Sequence, residues 1–460
     1  MPLRIGNAAG FLGDWIDAPR LLVEAAELDY LTLEYLAELT MSILARAKEK
    51  NPAAGYAGDF IEVLTSLAPA LQAQSRLRIV TNAGGVNPPS CAAAAAGVLC
   101  TAGLGDTPLG VVGGDDILAQ LPSLHSAGWE FKNLDTGQPL RELQPSIVSA
   151  NAYMGARGIA DALTAGARIV VTGRVADASL TVGPAMREFG WAWDDWNRLA
   201  AASVAGHLIE CGAQATGGYY RHWGALDLAN VGYPIVELAD EGSCVITKPG
   251  GSGGAVDRQT VAAQLVYEIG DPRHYLTPDV DVDFTTVEIA EVGQNRVAVS
   301  GATGRPAPDT LKVSLAYRAG YMASGQLLVY GSDCVAKARA CGEMILGRMR
   351  RAGIEFTRSL VECLGAGDSV PGVAGVCALG TDGPQEVMLR LSVHDARREA
   401  VERFTKEFAP LVTSGPPGLA GYASGRPTVR PVFAYWPTLV PRDAVAASME
   451  VRRAADWADR

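Results

Sequence analysis

Histidine and clustered cysteine are scarce in this chain. Its 460 residues include five histidines, and this scarcity argues against a metal centre built from imidazole ligands. The eight cysteines, at positions 91, 100, 211, 244, 334, 341, 363 and 377, are spread out and form no C-x-x-C pair. This spacing excludes the usual zinc and cluster motifs and is typical of reduced cysteines in a hydrophobic core.

Long basic runs and long apolar runs are also missing. The 39 basic and 50 acidic residues give a net charge of −11, so no phosphate-tracking surface and no nucleic-acid partner are expected. No stretch reaches the ~18 apolar residues of a membrane-spanning helix. The first residues, MPLRIGNAAGFLGDW, do not resemble a secretory signal. These absences predict a soluble, cytoplasmic protein without a membrane partner.

Glycine, by contrast, is abundant. Hydrophobic residues make up 48% and charged residues 19% of the chain, as in ordinary globular enzymes, and the length predicts two or three domains. The 52 glycines exceed the usual share of about 7%. This excess indicates many positions where the backbone needs a positive φ or closely approaches a ligand.

The first half of the chain alternates short apolar segments with segments of helical period. The predicted strands are Leu3–Ile5, Tyr30–Leu33, Leu77–Thr81, Leu109–Val112 and Arg168–Thr172. Their nearly continuous apolar character is expected when helices cover both faces of a parallel sheet. The predicted fold is therefore α/β, with a mostly parallel, doubly wound sheet in the N-terminal part; a barrel-like closure is the alternative.

Helices are predicted between these strands and on either side of the last one. They are Ala18–Leu28, Tyr35–Lys50, Phe60–Ala73, Ser90–Ala102, Asp116–His125, Ala152–Ala165 and Trp196–Cys211.

From Phe284 onward, strands follow one another more directly. Lys312–Tyr317 and Gln326–Tyr330 are predicted as two separate strands, followed by a helix over Asp333–Arg351. This alternation predicts a C-terminal α+β domain. The boundary is placed in the segment LTPDVDVDF, which gives an N-terminal α/β domain over residues 1–278, carrying the predicted site, and a C-terminal domain over residues 279–460.

Polar residues and glycines follow every predicted strand of the first half. Asp14 follows the first strand, Glu34 the second, NAGGVNP (Asn82–Pro88) the third, and Gly113-Gly114-Asp115-Asp116 the fourth. The carboxyl ends of parallel strands meet at one edge, where ligands bind in open sheets. These residues are therefore expected to form a single site.

Each of these residues also has a structural interpretation. Asp14 and Asp116 can cap the helices that follow them, and Asn87 precedes a proline suited to the first turn of a helix. Gly84 and Gly85 either form a tight turn or bring backbone N–H groups to an anion.

The segment TGRVADAS (Thr172–Ser179) follows the fifth strand. Arg174 and Asp177 are three residues apart, so they can pair with each other, or present a cation to a substrate carboxylate and a carboxylate for proton transfer. Ser179 is a candidate for substrate binding or, alternatively, for capping a helix.

Two later segments supply further candidates. His207 and Glu210 lie on one predicted helix face, where the carboxylate can orient the imidazole; Gln214 and Thr216 follow in a turn that can hydrogen-bond a carbonyl. Lys248 precedes a glycine-rich loop containing Gly250 and Gly251. That loop either delivers amides and a cation to a phosphate or carboxylate, or is a flexible surface loop.

Taken together, these motifs resemble the AtuA family, named for acyclic terpene utilisation. The resemblance rests on NAGGVNP, TGRVADASL, ECGAQATGGY and KPGGSGG and covers roughly Arg4 to Met449. Members of this family occur beside genes for acyl-CoA carboxylation and for breakdown of branched, isoprenoid-like acids. Longer members carry an additional ferredoxin-like domain at the C-terminus, which raises the question of a separate ferredoxin-like partner subunit.

The resemblance implies an enzyme of branched-chain or isoprenoid carboxylic acid or acyl-CoA catabolism, acting as a hydratase or lyase. In this hypothesis Asp177 is the acid or base, with Asp14 and Glu34 as further candidates. Arg174 and Asn82 hold the substrate carboxylate or carbonyl, and the Gly84–Gly85 and Gly250–Gly254 loops bind phosphate or a thioester oxygen.

Two alternatives stay open: a non-catalytic subunit partnering an acyl-CoA carboxylase, and a metal-dependent hydrolase. No cofactor is assigned, although carboxylates can hold a divalent cation such as magnesium. A homo-oligomer is the default expectation.

Overall fold

The computed structural model describes residues 2–140, 146–371, 383–421 and 425–458. The chain forms two compact units, the first made of Met1–Ala316 with Tyr435–Arg460 and the second of Tyr317–Ala434. This division differs from the boundary at 278/279. The reason is that the strands directly after that boundary pair with strands of the first unit.

The first unit is built on a ten-stranded sheet that contains all five strands predicted in the first half. These strands lie side by side and parallel, in the order β1, β2, β3, β6, β4. Numbered in chain order, they are β1 (Leu3–Asn7), β2 (Tyr30–Leu33), β3 (Arg78–Thr81), β4 (Pro108–Gly113) and β6 (Ile169–Thr172). The α/β class is confirmed, while the doubly wound arrangement stays a prediction.

Antiparallel strands extend this parallel centre on both sides. On one side β7 (Ile235–Leu238) pairs with β1 and is followed by β8 (Cys244–Thr247), β12 (Arg296–Ser300) and β11 (Glu288–Gly293). On the other side β19 (Ser448–Arg453) pairs with β4. The sheet is therefore mixed, with β11 and β19 at its two ends.

A three-stranded sheet in the first unit occupies the segment predicted as the domain boundary. Its strands are β9 (Tyr275–Leu276), β10 (Asp281–Asp283) and β13 (Thr303–Arg305). Asp281 lies buried in β10, so the acidic residues of this segment belong to packed structure.

The helices of the first unit follow the predicted alternation. They are α1 (Ala18–Ala25), α2 (Glu38–Lys50), α3 (Asp59–Ala73), α4 (Pro88–Thr101), α5 (Leu121–Ser126), α6 (Arg157–Thr164), α7 (Ser179–Phe189), α8 (Trp196–Glu210), α9 (Arg258–Leu265) and α13 (Ala454–Ala458). Within the described residues, no helix combines the length and the apolar character needed to cross a membrane.

Two of these elements differ from the prediction. The helix predicted over Ala152–Ala165 is preceded by a strand, β5 (Ile147–Ala152), which pairs with the distant strand β14 (Thr310–Tyr330). Helix α7 is absent from the predicted helices and was considered only as the alternative in which Ser179 caps a helix; Gly183 and Pro184 lower its helix propensity. A Cβ at Gly183 would lie 2.5 Å from the Ile159 side chain, so close helix packing overrides the propensity there.

The second unit has the element order β-α-β-β-α-β. It comprises β14 (which begins in the first unit), α10 (Cys334–Arg351), β15 (Arg358–Leu364), β16 (Glu386–Asp395), α11 (Arg398–Phe404) and β18 (Arg430–Pro441, which ends in the first unit), with α12 (Leu411–Ser414) and β17 (Leu419–Ala420) between the last two. The strand order is β15-β16-β14-β17, and β18 also pairs with β14.

The predicted strands Lys312–Tyr317 and Gln326–Tyr330 are parts of this single strand β14. Gly320 and Gly325, which lie between the two predicted strands, suggest a turn in the sequence. In the structure both lie within β14, where packing and backbone conformation require glycine. A Cβ at Gly325 would lie 2.1 Å from the Phe408 ring, and Gly320 has a φ of +97°.

Candidate functional site

Four predicted site residues meet at the carboxyl edge of the parallel strands. Arg174, after β6, places Nη1 2.9 Å from Asp177 Oδ1 and 3.8 Å from Glu34 Oε1, at the end of β2. Asn82, after β3, donates its side-chain amide to Glu34 Oε1. Because the carboxyl ends of parallel strands meet at one edge of the sheet, Glu34, Asn82, Arg174 and Asp177 lie together there.

Arg174 is buried, with 2% of the residue exposed. Its Nη1 also donates to the Leu36 carbonyl oxygen at 3.0 Å, and its Cζ lies 4.1 Å from the centroid of the Tyr153 ring. Since Nη1 faces three oxygens inside the protein, Arg174 is placed to set the charge balance of the neighbouring carboxyl groups.

Asp177 is the accessible acid of this cluster. About a third of its side chain is exposed (34%), whereas Glu34 and Arg174 are buried. Burial of the carboxyl raises the pKa of Asp177 to about 6, against the opposing effect of Arg174. A carboxyl group with this pKa exchanges protons near neutral pH, as general acid–base catalysis requires.

Glu34 is a buried acid held in one orientation. Its Oε1 accepts hydrogen bonds from the Leu36 N–H, at 2.8 Å, and from Asn82. Its Oε2 has no hydrogen-bond partner among the described residues. Burial, followed by the nearby charge of Asp177, raises the pKa of Glu34 well above its ordinary value.

Asn82 itself is fully buried, and both ends of its amide are used. Its Oδ1 accepts from the Tyr35 N–H at 2.8 Å, while its Nδ2 donates to Glu34. Asn82 therefore orients Glu34.

Sequence reasoning missed a second group of side chains beside Arg174. The Tyr153 hydroxyl donates to Glu38 Oε1 at 2.7 Å, and Lys312 Nζ donates to the same oxygen at 3.1 Å. Lys312 Nζ also lies 4.8 Å from the centroid of the Tyr153 ring and 5.9 Å from that of Tyr435. Because these residues are far apart in sequence, no local motif predicts that they form a group.

The two charged members of this group are accessible: 42% of the Lys312 side chain and 37% of the Glu38 side chain are exposed. Burial alone would raise the pKa of Glu38, but Lys312 and the Tyr153 hydroxyl lower it to about 2. Glu38 therefore stays ionised where Asp177 titrates.

Asp115, after β4, fixes the loop that carries Arg174 and Asp177. Its Oδ2 accepts from the Arg174 N–H at 2.9 Å and from Asn151 Nδ2 at 2.7 Å. A Cβ at Gly173 would lie 2.2 Å from Asp115 Oδ1, so this close approach requires glycine.

In the predicted anion-binding loop after β3, two backbone N–H groups are already hydrogen-bonded to carbonyl oxygens of the same loop. The Gly85 N–H donates to the Asn82 carbonyl and the Asn87 N–H to the Gly84 carbonyl. The Asn87 side chain donates to the carbonyls of Pro52 and Ala54, and a Cβ at Gly84 would lie 2.4 Å from the Thr172 carbonyl oxygen. The structure gives Gly84, Gly85 and Asn87 packing and turn roles.

Asp14 takes part in a separate group of contacts. Its carboxylate accepts from the Gly10 N–H at 2.8 Å and from the Tyr233 hydroxyl at 2.6 Å. Ser179, at the start of α7, donates to the buried Asp279 at 2.8 Å. Both side chains thus stabilise loops near the edge.

The predicted pair on α8 forms: His207 Nδ1 lies 2.9 Å from Glu210 Oε1. Burial raises the pKa of the neighbouring Cys211 thiol to about 12, which disfavours a thiolate nucleophile. The 3-10 helix Gly212–Thr216 then holds Gln214, partly exposed, and Thr216, which is buried and donates to the Ala213 carbonyl at 3.1 Å.

Lys248 is turned back onto its own loop. Its Nζ donates to the Ser252 carbonyl oxygen at 2.6 Å, while Gly250 and Gly251 are exposed. A Cβ at either glycine would meet nothing within 4 Å, so no close approach of another described residue requires these two glycines.

Among the described residues, no group of three or more His, Cys, Asp or Glu side chains is arranged to hold a metal ion. The carboxylates of the edge are instead paired with Arg174, Lys312 and His207.

Comparison with known proteins gives one match. Residues 3–451 match the family described as "Acyclic terpene utilisation family protein AtuA". No curated protein and no solved structure matches the chain. Since the match covers nearly the whole sequence, the chain belongs to the AtuA family.

Proposed function

We propose that the chain is a hydratase or lyase that acts on a branched or isoprenoid carboxylic acid or its acyl-CoA thioester, with Asp177 as the acid–base group. The observation that carries this proposal is the Asp177 carboxyl group: its side chain is one-third exposed, burial of the carboxyl raises its pKa to about 6, and its Oδ1 lies 2.9 Å from a buried guanidinium. It lies at the carboxyl edge of a sheet that we take to be doubly wound, where open parallel sheets bind ligands.

The chemistry needs one group that both accepts and returns a proton. In a dehydration, the Asp177 carboxylate accepts the proton from the carbon next to the carbonyl group. The resulting carboxylic acid then gives a proton to the departing hydroxyl, so that water leaves. Burial and the charges of Glu210 and Glu38 oppose the charged form of Asp177, whereas Arg174 stabilises it.

Lys312 is the cation best placed to receive an anionic substrate. Its exposed ammonium lies beside Tyr153 and Tyr435, and an ammonium near a substrate carbonyl stabilises the negative charge that develops on oxygen. The initial assignment of Arg174 to this role is less favourable because Arg174 is buried. A cytoplasmic homo-oligomer remains part of the proposal.

The test combines binding with turnover. Thermal-shift measurements with acyl-CoAs and free branched acids identify a ligand, because a ligand that binds the folded state raises the melting temperature. Asp177→Asn should then lower turnover by about 10²- to 10⁴-fold while the thermal shift persists.

Asp116→Asn is the matched control, since Asp116 is an exposed carboxylate at the same edge whose Oδ1 accepts from the Leu118 N–H at 3.0 Å. Unchanged turnover in folded Asp177→Asn would refute the assigned role. Binding without turnover in the unaltered chain would favour the non-catalytic subunit.

A further inference from the structure

The ring of His207, a residue of helix α8, is held in one orientation by contacts at both of its nitrogens. Its Nε2 lies 2.9 Å from the Gln264 carbonyl oxygen, and the Gln264 side-chain amide donates to the His207 carbonyl at 2.8 Å. Because a carbonyl oxygen only accepts, Nε2 carries a hydrogen. The single remaining exchangeable proton lies between His207 Nδ1 and Glu210 Oε1, 2.9 Å apart.

Helix α8 carries this pair alongside Asp177. A Cβ at Gly206 would lie 2.8 Å from the Ala178 Cα, so the helix backbone lies against the residue next to Asp177. Glu210 is four residues beyond Gly206 and therefore on the same helix face. After burial itself and the opposing effect of Arg174, the charge of Glu210 is the next contribution to the pKa of Asp177, which it raises.

Glu210 also has an incompletely satisfied carboxylate. Its Oε2 is buried and makes no hydrogen bond with any described residue. A buried carboxylate oxygen without a donor is costly. Burial lowers the pKa of His207, but its hydrogen bond to Glu210 and the charge of Glu210 give a net rise, so this ring is placed to offset the charge of the Glu210 carboxylate.

We propose that His207 and Glu210 form a positioning pair, in which the His207 ring, held by the Gln264 carbonyl oxygen, fixes the Glu210 carboxylate so that its charge favours the protonated form of Asp177. The pair thereby makes Asp177 a proton donor as well as a base. This inference rests on the proposed function of Asp177 and adds to it the residues that regulate its protonation.

The other groups around the two titrating residues set the background for this effect. Asp177 is surrounded by Arg174 on its own loop, Glu34, Glu38, Tyr153, Glu210 and Tyr275. The rings of Tyr275 and Phe284 pack against His207, with centroids 5.9 Å and 5.6 Å away.

The experiment is a pH titration of the aspartate carboxyl carbons of the full chain by NMR, with Asp177 assigned from Asp177→Asn. Glu210→Gln keeps the size and removes the charge, so the Asp177 midpoint should fall by about one pH unit. Glu210→Asp keeps the charge and should restore most of the midpoint. An unchanged midpoint in Glu210→Gln would overturn the proposal.

His274→Gln is the matched control, because His274 Nδ1 also lies 2.9 Å from a carboxylate, that of Asp281, but His274 is 55% exposed. It should leave the Asp177 midpoint in place, and a shift equal to that of Glu210→Gln would contradict a specific effect.

A measurement on the unaltered chain covers the case in which the Glu210 variants do not fold. The nitrogen resonances of His207 should show both ring nitrogens protonated at pH 7, and a neutral ring would overturn the proposal. Neither titration needs a substrate, so the pair can be verified even if no acyl compound is turned over, which would count against the proposed function alone.

Discussion

Carboxyl groups differ in hydrogen-bond pairing and in the direction of their pKa shift between the sheet edge of the first unit and the second unit. In the second unit Asp395 accepts from the Arg397 N–H and Nε through Oδ1 and from Nη2 through Oδ2. This pairing lowers the pKa of Asp395 to about 2. At the edge, Glu34 and Asp177 share one guanidinium, and burial raises the pKa of both.

The difference lies in the number of donors available to each carboxylate. Buried polar atoms without a partner are rare in folded proteins and call for an explanation. Among the carboxylates at the edge, Glu34 Oε2, Asp177 Oδ1 and Glu210 Oε2 accept no hydrogen bond from a described residue, whereas both oxygens of Asp395 and of Glu362 receive donors. Burying the edge carboxyl groups therefore has an electrostatic cost that the paired carboxylates Asp395 and Glu362 do not have, and such perturbed groups are common at functional sites.

Removing one cation should expose this difference most strongly. Arg174→Met leaves Glu34 and Asp177 without their buried partner, and we expect it to lower the free energy of unfolding by about 3–5 kcal/mol. Arg398→Met in the second unit breaks an exposed pair with Glu402 and should cost at most about 1 kcal/mol. Urea denaturation measures both, and equal losses would contradict the comparison.

Ionisation of Asp115 should lower the stability of the fold as the pH rises, whereas ionisation of a paired surface acid raises it. Burial raises its pKa in the folded state to about 6, above the ordinary value of about 3.9 in the unfolded chain. The folded state therefore binds the proton more tightly, and this carboxyl destabilises the fold as the pH rises from about 4 to about 6.

Asp115→Asn should remove that loss. Relative to the variant, the unaltered chain should lose roughly 2–3 kcal/mol of unfolding free energy across this range, with no further change above it. Urea denaturation at a series of pH values measures the difference. Parallel pH profiles for the two chains would show that Asp115 titrates normally.

Glycine substitutions give the smallest and most local test. Gly173→Ala would place Cβ 2.2 Å from Asp115 Oδ1, and we expect a loss of about 1–3 kcal/mol, as for other overpacked sites. Gly250→Ala is the control, because its Cβ meets nothing within 4 Å. Thermal denaturation should separate the two variants, and equal melting temperatures would argue against the tight loop.

Much of the fold was predictable because its signals are local. The five parallel strands are short apolar segments, and their positions follow from hydrophobic periodicity. Strand β5 and the full length of β14 were not predictable, since the first depends on pairing with a distant strand and the second on packing of Gly325 against Phe408.

The site was predictable only where strand order alone determines it. Glu34, Asn82, Arg174 and Asp177 follow parallel strands and meet as expected. Lys312 joins them through β14, far along the chain, and nothing in its local sequence distinguishes it from a surface lysine. The close packing of Gly84 against the Thr172 carbonyl oxygen is not visible in the sequence composition, and the ligand role of the glycine loops stays a prediction.

The measurement that most directly tests the acid–base role is the protonation midpoint of the Asp177 carboxyl group in the full chain, read from its carboxyl carbon resonance. The account predicts a midpoint near pH 6. A midpoint near the ordinary value of about 3.9 would contradict it, because such a carboxyl group would not exchange protons near neutral pH.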